Sequence, residues 1–320
     1  MTSFMRLAGH RLDDGTRELL DKELTERLAA TALESDAHEA ILAGVGAHVL
    51  SRCLPGEILR TLQVFCATGS HALILGNLPA RDFPQTPVSG FGAESRLTVA
   101  HALHFGLIQL LGTTPFAVDY ENDGRLIRNV VPNPAAAGVT SSWGADSEFS
   151  WHTDNPHLPF GAPGLDPRPY VPRYLTFYAV RNEERVPTEI TTVDDVVSAL
   201  DAEGRRRLKS AQFTVGAAAS NDADPSGRRA QSDGIAVLED GPGGHVWARY
   251  DRGTTAGRTA EASAALEAWS GALDRVPAQE FVLDAGDFLI FDNYRVLHRR
   301  RAFTPRPNAT ARWLRRCYAS

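Results

Sequence analysis

Four side chains in this 320-residue chain have the types and spacing to do chemistry together: His152, Asp154, His298 and Arg312. His152 and Asp154 lie in the stretch Ser147-Glu148-Phe149-Ser150-Trp151-His152-Thr153-Asp154-Asn155-Pro156. In an extended strand, residues i and i+2 project from one face, so both can reach a single metal ion. His298 offers a second imidazole. It follows Gly286-Asp287-Phe288-Leu289-Ile290-Phe291-Asp292-Asn293-Tyr294-Arg295, where a strand feeds a tight Asp-Asn turn. Two imidazoles and one carboxylate make a facial triad, which leaves the opposite face of an octahedral Fe(II) open to co-substrate and O₂. Fourteen residues beyond His298 comes Arg312. A guanidinium forks onto a carboxylate through two parallel bonds, which suits the far end of a keto-diacid whose other end chelates iron. A lone H-x-D is a chance pairing at a strand end. The distant histidine and arginine change that balance.

The other histidines carry less. His101 and His104 sit three apart on a helical pattern with no third ligand nearby, so they read as helix-surface or packing residues. His157, five residues after His152, faces the other way along a strand. His245 precedes a strand in a glycine-rich turn and reads as structural or exposed. His10, His38 and His48 show no pattern.

The elements that must position these groups follow from periodicity. Leu19, Leu20, Leu24 and Leu28 make one helical stripe, and Ile41, Leu42, Val45, Val49 and Leu50 a second. Pro55 opens a further short helix. His71 to Gly76 reads as a buried strand, and Ser95 to Leu111 as a helix. After Gly112 the character turns to β: Phe116 to Tyr120, the turn Asn122-Asp123-Gly124, then Arg125 to Val131 read as a hairpin. Tyr174 to Val180 is a strong strand behind a proline-rich loop. Asp194 to Lys209 reads as one helix and Ala260 to Leu273 as another, with Val246 to Tyr250, Glu280 to Leu283, Phe288 to Phe291 and Arg312 to Tyr318 as strands. Residues 216–234, small and polar, are the candidate lid. Helices lead and strands dominate the middle and end, which gives a single α+β domain over residues 1–320 on a largely antiparallel sheet.

Composition sets outer bounds. With 43% hydrophobic and 22% charged residues the chain is an ordinary globular one. A net charge of −6 argues against a nucleic-acid partner, and no apolar run is long enough for a membrane span. Cys53, Cys66 and Cys317 form no framework of pairs, and the N-terminus lacks a basic-then-apolar leader pattern, so a cytoplasmic location is expected.

The H-x-D pair, the histidine after the G-D-F-L-I-F-D-N-Y-R run and the arginine beyond it together resemble the Fe(II)/2-oxoglutarate dioxygenases of the clavaminate synthase-like group, related to the taurine dioxygenase superfamily. The resemblance runs from about His71 to Ser320. It takes in Leu75 to Pro79, Leu126 to Pro132, and Phe303-Thr304-Pro305-Arg306 followed by Arg312 to Arg316. It implies a double-stranded β-helix (jelly roll) core over about 71–320, flanked by a helical N-terminal part over about 1–70. It implies that His152, Asp154 and His298 hold the iron and that Arg312 clamps 2-oxoglutarate. Thr188 falls where the group places a threonine on the same carboxylate, with Thr191 and Thr192 near enough to compete for that place.

The implied reaction uses Fe(II), 2-oxoglutarate and O₂ to hydroxylate an unactivated carbon of a free amino acid or small derivative, releasing succinate and CO₂. Asp154 stands where several amino-acid hydroxylases of the group carry glutamate. Its carboxylate leaves no ligand place for a halide, so hydroxylation or desaturation is expected. Ser147, Glu148, Asn155, Asp292 and Arg295 are the candidate contacts to a small-molecule substrate. Glu148, four residues before His152, shares its face in a regular strand and could meet a substrate amine; as an edge carboxylate paired with an arginine it would not. Two other functions fit the same residues: an oxygenase of sulfonates or other small acids, and a jelly-roll binder without metal.

Overall fold

The computed structural model describes residues 3–31, 38–92, 94–118, 120–138, 142–161, 170–218 and 229–320. Its helices are α1 (Asp14–Ala29), α2 (His38–Cys53), α3 (Gly56–Thr68), α4 (Thr98–Leu110), α5 (Val193–Ser198), α6 (Ala202–Leu208) and α7 (Ala260–Leu273). The first strands are β1 (Leu7–Arg11), β2 (Ala72–Gly76), β3 (Pro115–Phe116), β4 (Ile127–Val130), β5 (Phe149–His152), β6 (Tyr174–Arg181), β7 (Thr188–Thr192) and β8 (Phe213–Gly216). There follow β9 (Gln231–Ile235), β10 (Leu238–Asp240), β11 (Val246–Ala248), β12 (Thr255–Gly257), β13 (Gln279–Phe281), β14 (Phe288–Asp292), β15 (Val296–Arg300) and β16 (Trp313–Ala319).

Two sheets form the jelly roll. The larger runs β1-β2-β14-β6-β16-β3, with β4 also on β16; the smaller runs β13-β7-β15-β5. Every pairing within them is antiparallel except β1 with β2. Strand alternation sorts the apolar residues into three layers. Leu175, Phe177, Leu289, Phe291, Ile190 and Val296 fill the space between the sheets. Tyr178, Phe288, Ile290 and Trp313 turn from the large sheet towards the leucines of α1 to α4. On the far side, Trp151 and Leu297 leave the small sheet to meet Val196, Leu208 and Trp269 of α5, α6 and α7. Truncating a filled position in such a layer costs about 2–5 kcal/mol, so the frame around the site is stiff.

Helix α4 is buried because α2 crosses it at two glycines. A Cβ on Gly46 would lie 1.7 Å from the carbonyl oxygen of Ala102, and one on Gly106 2.6 Å from the amide nitrogen of Ala47. His101 and His104 therefore pack inside, with His104 Nε2 2.8 Å from Thr176 Oγ1.

Three sequence expectations change. The N-terminal part opens with strand β1, whose largely exposed residues give no alternation to detect. β3 and β4 do not form a hairpin with each other; each pairs with β16, because Asn122, Asp123 and Gly124, all at positive φ, turn a longer connection. The helix expected over 194–209 is two helices, since the Asp201 carboxylate caps a fresh start by accepting from the Gly204 amide at 2.7 Å. Of the candidate lid 216–234, residues 219–228 lie outside the described residues; its two ends form the antiparallel pair β8–β9. Among the described residues no helix is long and apolar enough to cross a membrane. Cys53, Cys66 and Cys317 are all free.

Candidate metal centre

β15 and β5 bring two histidines opposite each other: His298 pairs in register with His152, and their ring centroids are 4.0 Å apart. Between that pair and the next, Arg300 with Phe149, β5 holds one residue more than β15. This bulge has two effects. It swings Phe149 to the side of His152, ring centroids 3.8 Å apart, although residues three apart in a regular strand face opposite ways. It also lets the Ser150 carbonyl accept from His152 Nδ1 at 2.7 Å. That contact fixes the tautomer and leaves the Nε2 lone pair for the site.

Asp154 lies just past β5 and is fastened through its backbone. Its N–H donates to Asn293 Oδ1 at 2.9 Å, while Asn293 Nδ2 donates to the Asp154 carbonyl at 3.2 Å and to that of Pro172 at 3.0 Å. Asn293 is fully buried in the β14–β15 turn, so the turn that leads into His298 also positions Asp154. The two carboxylate oxygens divide the work. Oδ2 accepts from Arg316 Nη1 at 2.9 Å. Oδ1 faces His152 Nε2 at 3.3 Å and His298 Nε2 at 3.4 Å.

One ligand atom from each of the three residues falls within 4.8 Å of the others, and all three residues are buried. Burial alone would raise the Asp154 carboxyl; Arg316 and the two imidazoles override it and hold the group well below the usual carboxylate range. Burial, assisted by His152, pushes His298 down to about 4. The cluster is thus an ionised carboxylate with unprotonated imidazole nitrogen at His298, which is what a divalent cation requires. The buried His152 Nε2 has no hydrogen-bond partner among the described residues. Two nitrogens and one oxygen on one side of a common point fit ferrous iron with open positions beyond.

Two adjoining cavities share Asp154, Phe149 and Arg316. The first runs to Thr188, Arg300 and Arg312. Arg312 is 3% exposed; its Nη2 lies 3.5 Å from Thr188 Oγ1 and its Nε has no partner among the described residues. Thr191 and Thr192 are engaged elsewhere, Thr191 Oγ1 donating to the Pro277 carbonyl and Thr192 Oγ1 capping α5. Of the three threonines, only Thr188 faces Arg312. The second cavity is walled by Glu121, Asn155, Asp251 and Tyr318, with Ala218 at the end of the β8 arm.

Several expected substrate contacts are not brought here. The bulge reverses the parity of β5, so Glu148 does not share the face of His152; it is exposed, with Arg299 Nη1 3.7 Å away. Asp292 is buried against Arg173 at 2.7 Å and accepts from the Tyr294 amide. Arg295 donates to the Gly69 carbonyl and lies 2.7 Å from His71 Nε2 and 3.1 Å from Asp194. Both serve the frame, because alternation along the strand and turn, not closeness in sequence to His298, decides what faces the site. Ser147 gives its carbonyl to Arg300. Asn155, at φ 53°, does line the second cavity.

Sequence reading missed Glu121, Asn293, Arg300, Arg316 and Tyr318. A signal existed for three of them: Arg312, Leu314, Arg316 and Tyr318 recur every second residue, so the face that carries Arg312 carries Arg316 and Tyr318 as well, and Arg300 follows His298 by two. Glu121 sits in an irregular loop and offers no period. Its buried carboxylate would be raised by burial, but Arg316 and Arg128 hold it low; Tyr318 donates to it at 2.8 Å and Arg316 Nη2 makes a short bond to it.

A jelly roll that converges two histidines and one carboxylate beneath a buried arginine defines the class of non-haem iron, 2-oxoglutarate-dependent dioxygenases. The sequence profile of the taurine catabolism dioxygenase TauD, TfdA family matches residues 88–318, and the chain belongs to that family. It is 27% identical over 294 residues to an enduracididine beta-hydroxylase of Streptomyces hygroscopicus, covering 82% of this chain and 81% of the relative. It is 27% identical over 282 residues to clavaminate synthase 2 of Streptomyces clavuligerus, covering 85% and 81%. Among solved structures it resembles an asparagine oxygenase in complex with Fe(II), 3-hydroxyasparagine and succinate, with a TM-score of 0.81 at 22% identity over 97% of this chain and 92% of that one.

Proposed function

We propose that this enzyme hydroxylates a free amino acid or a small amino-acid derivative, consuming 2-oxoglutarate and O₂ and releasing succinate and CO₂. The observation that carries the reading is the position of the His152, Asp154 and His298 cluster between two cavities of different charge. One ends in Arg312, a buried guanidinium with no acid on it among the described residues. The other presents Glu121 and Arg316, a buried anion and a buried cation, which match the ammonium and carboxylate that all free amino acids share. The relative named as an enduracididine beta-hydroxylase supports the same class.

In this reading His152, Asp154 and His298 hold ferrous iron, which supplies the activation of O₂ and the oxidation of an unreactive C–H bond. Arg312 orients the co-substrate through its far carboxylate, with Thr188 as the second donor. Arg316 keeps Asp154 ionised and directs Oδ1 at the metal, and Asn293 fixes the aspartate's backbone. Phe149 covers His152 and keeps water from that side of the centre. Free Cys53, Cys66 and Cys317 are compatible with the reducing cytoplasm that this reading proposes.

The test is succinate release with Fe(II), 2-oxoglutarate and a panel of L-amino acids beside taurine and other small sulfonates. Coupled succinate and a product heavier by one oxygen atom, from at least one amino acid, is the expected result. Turnover of sulfonates alone would move the enzyme to the sulfonate branch, and substrate binding without succinate would make it a binder.

A further inference from the structure

The run His298-Arg299-Arg300-Arg301 looks like a basic surface patch in sequence. On β15 it alternates. Arg299 and Arg301 turn outward to grip the buried Glu189, at 2.8 and 2.6 Å. Arg300 shares the inward face with His298, is 7% exposed, and lines the same cavity as Arg312 and Thr188. Its Nη2 donates to the carbonyls of Gly144 and Ser147, and its guanidinium lies 5.2 Å from the centre of the Phe303 ring. These acceptors are neutral. Among the described residues no carboxylate lies within ion-pair distance of Arg300 or of the Arg312 side chain; Glu184 accepts from the backbone amides of Arg306 and Arg312.

The contrast with Arg316 is one of charge balance. Arg316 is matched by Asp154 and Glu121. Arg300 and Arg312 face one cavity, and among the described residues the acids that act on them, Asp146 and Glu184, do so from beyond ion-pair distance. Both side chains are buried and line the same cavity. Two like charges in a water-poor cavity favour a ligand that brings negative charge.

We propose that Arg300 is a second cation of the co-substrate cavity, a positioning and specificity residue that makes the pocket select a keto acid with a distal carboxylate. This rests on the reading of the Arg312 cavity as the 2-oxoglutarate site. Arg300 acts through space on the bound dianion and through Gly144 and Ser147 on the segment that leads into β5.

The test uses the Fe(II)-loaded enzyme under anaerobic conditions. Calorimetric titration compares 2-oxoglutarate with 2-oxobutyrate, which keeps the keto-acid head and lacks the distal carboxylate. Arg300→Gln is expected to weaken 2-oxoglutarate about tenfold, the size of one partly screened charge, and 2-oxobutyrate less than about twofold. Arg300→Lys keeps the charge and is expected to bind 2-oxoglutarate within about threefold of the parent. Equal weakening of both keto acids by Arg300→Gln, or an Arg300→Lys as poor as Arg300→Gln, would overturn the proposal and leave a plain clamp on two carbonyls. Should Arg300→Gln not fold, as judged by circular dichroism, Arg300→Lys decides alone, a loss beyond threefold counting against the proposal. Arg312→Met is the control: unchanged 2-oxoglutarate affinity there would sink the co-substrate reading itself, whatever Arg300 does.

Discussion

The two cavities beside Asp154 are built on opposite electrostatic principles. On the Arg312 side no acid among the described residues lies within ion-pair distance of the cations, so a dianion gains attraction without breaking an existing ion pair. On the Glu121 side Arg316 is already shared between Glu121 and Asp154. A zwitterion entering there must loosen an internal pair whose other arm holds a metal ligand. The difference teaches that the first cavity is suited to be filled readily, and that occupancy of the second is coupled to the metal centre.

The largest effects fall on what both cavities share. His152→Ala and His298→Ala are each expected to abolish tight Fe(II) binding and bring turnover below detection; unchanged iron affinity by titration would remove that residue from the triad. Next come the two arginines, which should separate stability from binding. Arg316→Met strands the buried Asp154 and leaves Glu121 with Arg128 and Tyr318 alone, and is expected to cost about 3–5 kcal/mol in chemical denaturation. Arg312→Met removes a buried cation that has no acid on it, so stability should hold within about 1 kcal/mol while 2-oxoglutarate binding is lost. Equal destabilisation by both would erase the distinction between the cavities.

Finer probes sharpen it. Arg312→Lys is expected to raise the apparent KM for 2-oxoglutarate about tenfold with iron binding kept, because an ammonium cannot make the parallel fork. Thr188→Val should raise the same KM about two- to fivefold and leave the substrate KM alone. Smallest of all, Glu148→Ala should shift stability by less than about 0.5 kcal/mol and turnover by less than about twofold; a large fall in substrate affinity would return Glu148 to the site.

What the chain disclosed in advance was what strand alternation controls. His152 with Asp154 could be read because they stand two apart at a strand end, and His298 because a strongly apolar strand leads to it. Arg312, fourteen residues on, came from the family resemblance. Arg316, Tyr318 and Arg300 lay in the same alternation and were hidden inside arginine runs that look like surface. Glu148 was misjudged because one extra residue reverses its face, and a bulge leaves no mark in composition. Asp292 and Arg295 show the opposite error: nearness to a ligand in sequence, with no check on which way the side chain points. Glu121 comes from a loop whose place is set only when β16 lies beside β4 and β6. That is a tertiary fact.

The bulge in β5 also bears on how this site can change over time. At Ser150 the site uses the main-chain oxygen that receives His152 Nδ1–H, not the hydroxyl. Many side chains at that position would serve, while removing the residue would restore a regular ladder and leave the imidazole ring without its anchor. Related chains should therefore differ freely in the residue that stands there and yet keep the same number of residues between the phenylalanine and the histidine.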